Sequence, residues 1–224
     1  MMDFDVLQKR ILQNAPFEKC NGTIEFSEGE QNMVLNMTLP REFWCVKNLD
    51  DKFKTLKNTL RKPKCADATI WAFANSTHDS KRLVLHIIEM KKTVTKSGEK
   101  SGWEYIKCQF VGAYRLCRMV AAALDIEFEQ VIFYTAFVND DDIASQSADF
   151  SDTDDTEDPS IILPDRDMAD DIPFPSIEWA SGKCRLDDSG WSNNYTDKEH
   201  THIRIKLEEL PDGTFVSTYP CCQT

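Results

Sequence analysis

Long apolar runs are missing from this chain. No stretch approaches the roughly 20 residues that a membrane-spanning helix needs, and Met1-Met2-Asp3-Phe4-Asp5 has neither the basic start nor the apolar stretch of a signal peptide. A cytoplasmic location, away from membranes, is the expectation. Glycine is scarce, 8 residues of 224. There is no Gly-rich phosphate loop, no Gly-x-Ser-x-Gly elbow and no His-Glu-x-x-His, which excludes the common nucleotide-binding, serine-hydrolase and zinc-protease signatures. The 8 cysteines form no Cys-x-x-Cys pair. Several fall inside apolar runs, as free buried thiols do, and a disulfide framework is not expected in a chain of this size without a secretion signal. His200 and His202 stand near Cys184, Cys221 and Cys222 in sequence, but that spacing fits none of the usual zinc patterns.

Acidic residues outnumber basic ones by 38 to 26, a formal charge of −12, and the excess is local. Between Asn139 and Asp171 stand 13 acidic residues and a single basic one, Arg166, so the rest of the chain is balanced. A dense acidic run mixed with Ser, Thr and Pro cannot bury enough surface to fold by itself. Residues 139–172 therefore read as a flexible acidic linker, either a solvated tether or a polyanion mimic that occupies a basic cleft of this protein or of a partner. This divides the chain into an α/β core, residues 1–138, and a small β-rich C-terminal extension, residues 173–224.

Hydrophobic periodicity supplies the elements. Residues 3–13 and 50–61 have helical spacing. Residues 23–26 and 33–37 read as strands around a turn at residues 27–30. A flexible Lys-rich loop over residues 91–102 precedes a helix over residues 103–124, whose inward stripe is Ile106, Phe110, Ala113, Cys117, Val120 and Leu124. Residues 130–138 form a continuous apolar run, the pattern of a strand buried inside a sheet. In the extension, residues 177–179, 202–207 and 214–219 read as strands, the last two joined around Pro211-Asp212-Gly213. The extension is expected to pair with the main sheet or to make a protein-binding edge.

The chemistry-bearing feature is a hairpin. Residues 65–73 and 82–91 are two apolar runs separated by turn formers, opened by Asp67 and closed by Glu89-Met90-Lys91. Residues two apart in a strand share a face, so Glu89 and Lys91 project together. Charges at the rim of a buried sheet need pairing or a ligand. Mg²⁺ takes oxygen ligands, commonly one or two carboxylates with retained waters; Asp67, Glu89 and the Met90 carbonyl would supply them. Lys91 would orient or deprotonate a water, or stabilise charge developing on a phosphorus centre. The plain alternative is a solvated cross-strand ion pair worth little to stability.

The order Asp67, hairpin, Glu89-x-Lys91 and amphipathic helix resembles the core of the PD-(D/E)XK nucleases, the superfamily of many restriction endonucleases, Holliday-junction resolvases and RecB-type exonucleases. The resemblance covers residues 50–138. It implies a restriction-endonuclease-like α/β (α+β) fold, a central mixed sheet flanked by helices, with Asp67, Glu89 and Lys91 catalytic and Mg²⁺ or Mn²⁺ as cofactor. Prokaryotic antiviral defence or repair is the setting implied. Ala66 stands where the family often has Pro, and Gln109 and Tyr114 are five apart, which does not match the Gln-x-x-x-Tyr helix motif of the RecB-like branch. The upstream acidic residue is left open among Glu18, Glu25 and Glu42.

Lys92, Lys96, Lys100, Lys107 and Arg115 would line such a site as a basic rim for the phosphate backbone, with Trp103 and Tyr105 available to stack on an unpaired base. Two functions follow: a metal-dependent nucleic-acid phosphodiester hydrolase, or a catalytically inactive scaffold that engages a protein complex through the acidic segment or the C-terminal extension.

Overall fold

The computed structural model describes residues 17–52, 64–73, 82–97, 100–144, 175–186 and 199–221. The expected helix over residues 3–13 and most of that over residues 50–61 lie outside them, as does most of the acidic segment. The strands are β1 (Glu18–Glu28), β2 (Met33–Lys47), β3 (Ala68–Phe73), β4 (Arg82–Thr93), β5 (Glu127–Asn139), β6 (Lys183–Arg185), β7 (Glu199–Lys206), β8 (Glu208–Glu209) and β9 (Phe215–Pro220). The helices are α1 (Leu49–Lys52), α2 (Trp103–Ala123), α3 (Asp141–Ala144) and α4 (Pro175–Ser181).

All nine strands join one mixed sheet in the order β6-β7-β5-β4-β3-β2-β9-β8, with β1 also paired to β2. The chain is thus a mixed α/β protein with a curled mixed sheet and, among the described residues, few helices. β1–β2, β2–β3 and β3–β4 are antiparallel, whereas β4–β5, β5–β7 and β2–β9 are parallel. A parallel neighbour needs a crossover, and α2 provides it between β4 and β5. Its expected stripe is buried throughout.

Strand side chains alternate between faces. One face packs Trp71, Leu85, Ile87 and Phe133 against Ile106, Phe110, Ala113 and Cys117 of α2. On the other face Leu35, Met37, Ile70, Ile88, Tyr134 and Ile205 form a second core that no described helix covers; the curl of the sheet brings these strands together. Both faces of β3 and β4 are therefore apolar, which is why residues 68–73 read as a continuous hydrophobic run rather than an alternating one. Among the described residues no helix is long and apolar enough to cross a membrane.

Three expectations are corrected. The Lys-rich stretch is not all loop: β4 continues to Thr93, and Val94 is buried. Residues 202–207 and 214–219 are not partners in a hairpin. β7 lies beside β5 and β9 beside β2, and the turn at Gly213, with φ +81°, joins β9 to the two-residue β8 instead. The extension is accordingly woven into the main sheet at two separate places. Residues 177–179 belong to a helix, α4, rather than a strand; Pro175 opens it, a position where the missing amide is no loss.

α4 is fixed by two buried side chains, Glu178 and Trp179. Glu178 Oε2 accepts hydrogen bonds from Trp103 Nε1 and Lys107 Nζ, each at 2.9 Å, and its Oε1 accepts the Arg185 amide. Trp179 Nε1 donates to Asp140 Oδ2 at 3.0 Å. Removing Glu178 leaves the Trp103 indole N–H and the Arg185 amide without their acceptor and Lys107 with exposed Glu104 alone, a loss on the scale of a broken buried pair, about 3–5 kcal/mol. Glu178→Ala is expected to lower unfolding free energy by about that amount, and Glu178→Gln, which keeps an acceptor for Trp103, by less; urea denaturation of the three proteins checks this.

Candidate functional site

The β3–β4 register builds the site. Ala68 pairs with Ile88, so the next rung sets Asp67 opposite Glu89. Both belong to the helix-facing side, since Leu85 and Ile87 of β4 face α2 and Glu89 continues their parity. Asp67 is held by its backbone as well: its carbonyl accepts the Asn48 amide at 2.7 Å and its amide donates to Glu89 Oε2 at 3.2 Å. Its own Oδ2 accepts the Met90 amide at 2.7 Å.

Glu89 is fully buried, and Lys91, two residues on, closes an ion pair with its Oε1. Burial, then the Asp67 carboxylate, push the Glu89 carboxyl up to about 8 against the opposing pull of Lys91 and Gln109. Burial disfavours the Lys91 ammonium, but Glu89, by charge and hydrogen bond, and Asp67 outweigh it and hold its pKa above the usual lysine value.

Helix α2 lies over this cluster. Gln109 is buried and donates from Nε2 to the Cys65 carbonyl at 3.4 Å. The Tyr105 ring lies 5.6 Å from Lys91 Nζ and 3.7 Å from Lys64 Nζ. Lys64 is the site's addition to the sequence reading, while Tyr105 and Gln109, read there as a base-stacking ring and as an unmatched motif position, here flank Lys91 and fasten Cys65. Their spacing carries a usable signal only for the helical pair, because Tyr105 and Gln109 stand four apart on one helix face.

The remaining site residues are distributed unevenly. Met90 enters through its amide, and its side chain lies in the opposite core; the carbonyl of an extended residue points to the same strand edge as its amide, toward Asp67. Lys92 alternates to that other face and sits 5.4 Å from the Phe215 ring centroid. Lys96 and exposed Lys100 follow β4, with the Lys96 amide on Asp142 Oδ2 at 3.0 Å. Lys107 does not belong to a basic rim, since it is buried between Glu104 and Glu178. Arg115 is half-buried and about 15 Å along the helix from Tyr105. Trp103 is fully buried, so it offers no surface to a base.

Of the upstream acidic candidates, Glu42 pairs with Lys19 at 3.0 Å, and Glu18 and Glu25 are exposed on β1, beyond β2. Among the described residues no cluster of three or more His, Cys, Asp or Glu side chains is arranged to hold a metal ion. What is present is a facing pair of carboxylates with an adjacent ammonium, a donor set that fits one hard divalent cation with retained waters.

The raised Glu89 pKa has a stability consequence. The unfolded carboxyl ionises near 4.5 and the folded one near 8, so between these values the folded state binds the extra proton. Its contribution is complete below about pH 4.5 and is lost as pH rises through 8. In metal-free buffer the melting temperature of Glu89→Gln is expected to gain on that of the wild type as pH is raised from 5 to 8; paired thermal melts across that range check it.

No protein-family model matches the chain, and neither a curated protein nor a solved structure matches it.

Proposed function

We propose that the chain is a metal-dependent phosphodiester hydrolase acting on nucleic acid, with a restriction-endonuclease-like arrangement of its core. The observation that carries this is the single rung on which Asp67 and Glu89 face each other, with Lys91 two residues along the same strand face. Like charges placed directly opposite on a sheet repel, and a divalent cation between them turns that repulsion into binding. Asp67, Glu89 and the Met90 carbonyl would hold Mg²⁺ or Mn²⁺, which when bound supplies Lewis-acid stabilisation of the phosphoryl oxygens.

The chain's own residues supply the rest. Lys91 is partly exposed, with 18% of its side chain accessible, and sits where it can hold a water or the developing oxyanion. The Asn48 and Met90 amides fix the Asp67 backbone and side chain, so the carboxylate needs little reorganisation. Gln109 fastens the Cys65 carbonyl to α2 and closes the site from above.

The second reading, an inactive scaffold serving a larger complex, draws on the same hydrogen bonds. Asp67 already accepts the Met90 amide and Lys91 already neutralises Glu89, so the cluster is satisfied internally. Cleavage of single- and double-stranded DNA and RNA in Mg²⁺ or Mn²⁺ separates the two. The hydrolase is expected to lose at least about 10²-fold in rate in Glu89→Ala and in Lys91→Ala, the scale of a general acid–base or charge-stabilising group. Folded wild type that cuts none of these substrates selects the scaffold.

A further inference from the structure

Beside the Asp67–Glu89–Lys91 cluster stands an aromatic ring flanked by two ammonium groups. Lys64 Nζ lies 3.7 Å from the Tyr105 ring centroid and Lys91 Nζ 5.6 Å from it, both inside the roughly 6 Å over which a ring attracts a cation. The two lysines differ in what else they hold. Lys91 is committed to Glu89. Lys64 is exposed, and among the described residues no carboxylate pairs with it. Its backbone is nevertheless anchored, because it directly precedes buried Cys65, whose carbonyl receives the Gln109 amide. An ammonium with an anchored base, an aromatic support and no counter-charge among the described residues suits an anion from outside.

The aromatic rings described at this end bear on how that anion is presented. Single strands are commonly gripped by stacking bases on aromatic faces. Trp103 is fully buried with its indole N–H on Glu178, and a face of Tyr105 carries Lys64. Contacts to phosphate position a nucleic acid without reading its bases, and a duplex presents phosphate at the higher density.

We propose that Lys64 binds a backbone phosphate of duplex nucleic acid at this site, and that Tyr105 supports the Lys64 ammonium rather than stacking on a base. The proposal rests on the hydrolase reading of the neighbouring carboxylates. It adds a residue that the motif does not contain and a preference for paired strands.

The test is equilibrium binding of fluorescently labelled short duplex and single-stranded DNA to the full chain over a salt series, with Ca²⁺ in place of Mg²⁺ so that binding is read without turnover. Wild type is expected to favour the duplex. Lys64→Ala should weaken duplex binding several-fold and reduce the steepness of log K against log[salt] by about 0.9, the share of one phosphate contact on B-form DNA. Lys64→Arg should restore both, and Tyr105→Phe should leave both unchanged. An unaltered salt slope in Lys64→Ala overturns the proposal while wild-type binding and cleavage leave the hydrolase reading standing. Selective loss of single-strand binding in Tyr105→Leu overturns it in favour of base stacking. Wild type that neither binds nor cuts DNA or RNA removes the hydrolase reading and this proposal with it.

Discussion

The register of β4 is the constraint on which the candidate site depends. β4 is hydrogen-bonded antiparallel to β3 on one side and parallel to β5 on the other, and both of its faces are buried over most of its length. A slip of one residue would turn Glu89 and Lys91 into the second core, away from α2, and carry Ile88 and Met90 toward α2. Burying unpaired charge costs far more than exchanging one apolar contact for another, so the two cores together leave the strand one acceptable parity. That parity brings Asp67, Glu89 and Lys91 to the same side at the same strand end.

The helix above them is divided along its length. Its C-terminal half presents Ala113, Cys117 and Val120, whereas its N-terminal half buries Lys107 and Gln109 among apolar neighbours. Two buried carboxylates lie under that polar half in different circumstances. Glu178 accepts from an indole, an ammonium and a backbone amide. Glu89 has one amide and one ammonium, and its burial, with the Asp67 carboxylate it faces adding to it, drives its pKa upward. A satisfied carboxylate fastens elements together; one opposed by a like charge is under electrostatic stress that a cation or a proton relieves. Strongly perturbed groups of this kind concentrate at functional sites, which is what singles out Glu89 for the proposed chemistry, whereas Glu178 docks α4.

What was legible in the sequence follows the range of the interactions. The helix stripe from Ile106 to Leu124, the buried strand containing residues 130–138 and the two-residue spacing of Glu89 and Lys91 are local patterns, and they read directly onto the structure. Asp67 was legible because a hairpin turns a local pattern into a cross-strand pair. Lys107 was misread as a surface charge because its partner Glu178 is 71 residues away, and nothing near Lys107 in sequence signals burial. The segment holding Glu178 and Trp179 resembled a strand in composition, but its two buried side chains pack on α2 and on the end of β5 only from a helical turn. β7 and β9 were legible as strands, not as parallel neighbours of β5 and β2, because parallel pairing carries no turn signature. Lys64 and Tyr105 meet only through the fold.

The acidic stretch also begins inside the structure. Asp140 accepts the Trp179 indole and Asp142 accepts the Lys96 amide, so two of its first carboxylates join the end of β5 to α4 and to the loop after β4. Thr93 and Asn139 are paired neighbours, which puts the start of that stretch at the same end of the sheet as Glu89 and Lys91. Because β6, β7 and β9 return to the sheet that β5 belongs to, the acidic stretch is inserted within one sheet rather than strung between two. A polyanion approaching this end meets carboxylates of its own sign, with screening over only about 8 Å at physiological salt. Attraction there has to come from cations within that distance of the site. Lys91 is already balanced by Glu89; Lys64, supported on Tyr105 and with no carboxylate partner among the described residues, is the ammonium to which the proposal gives that part.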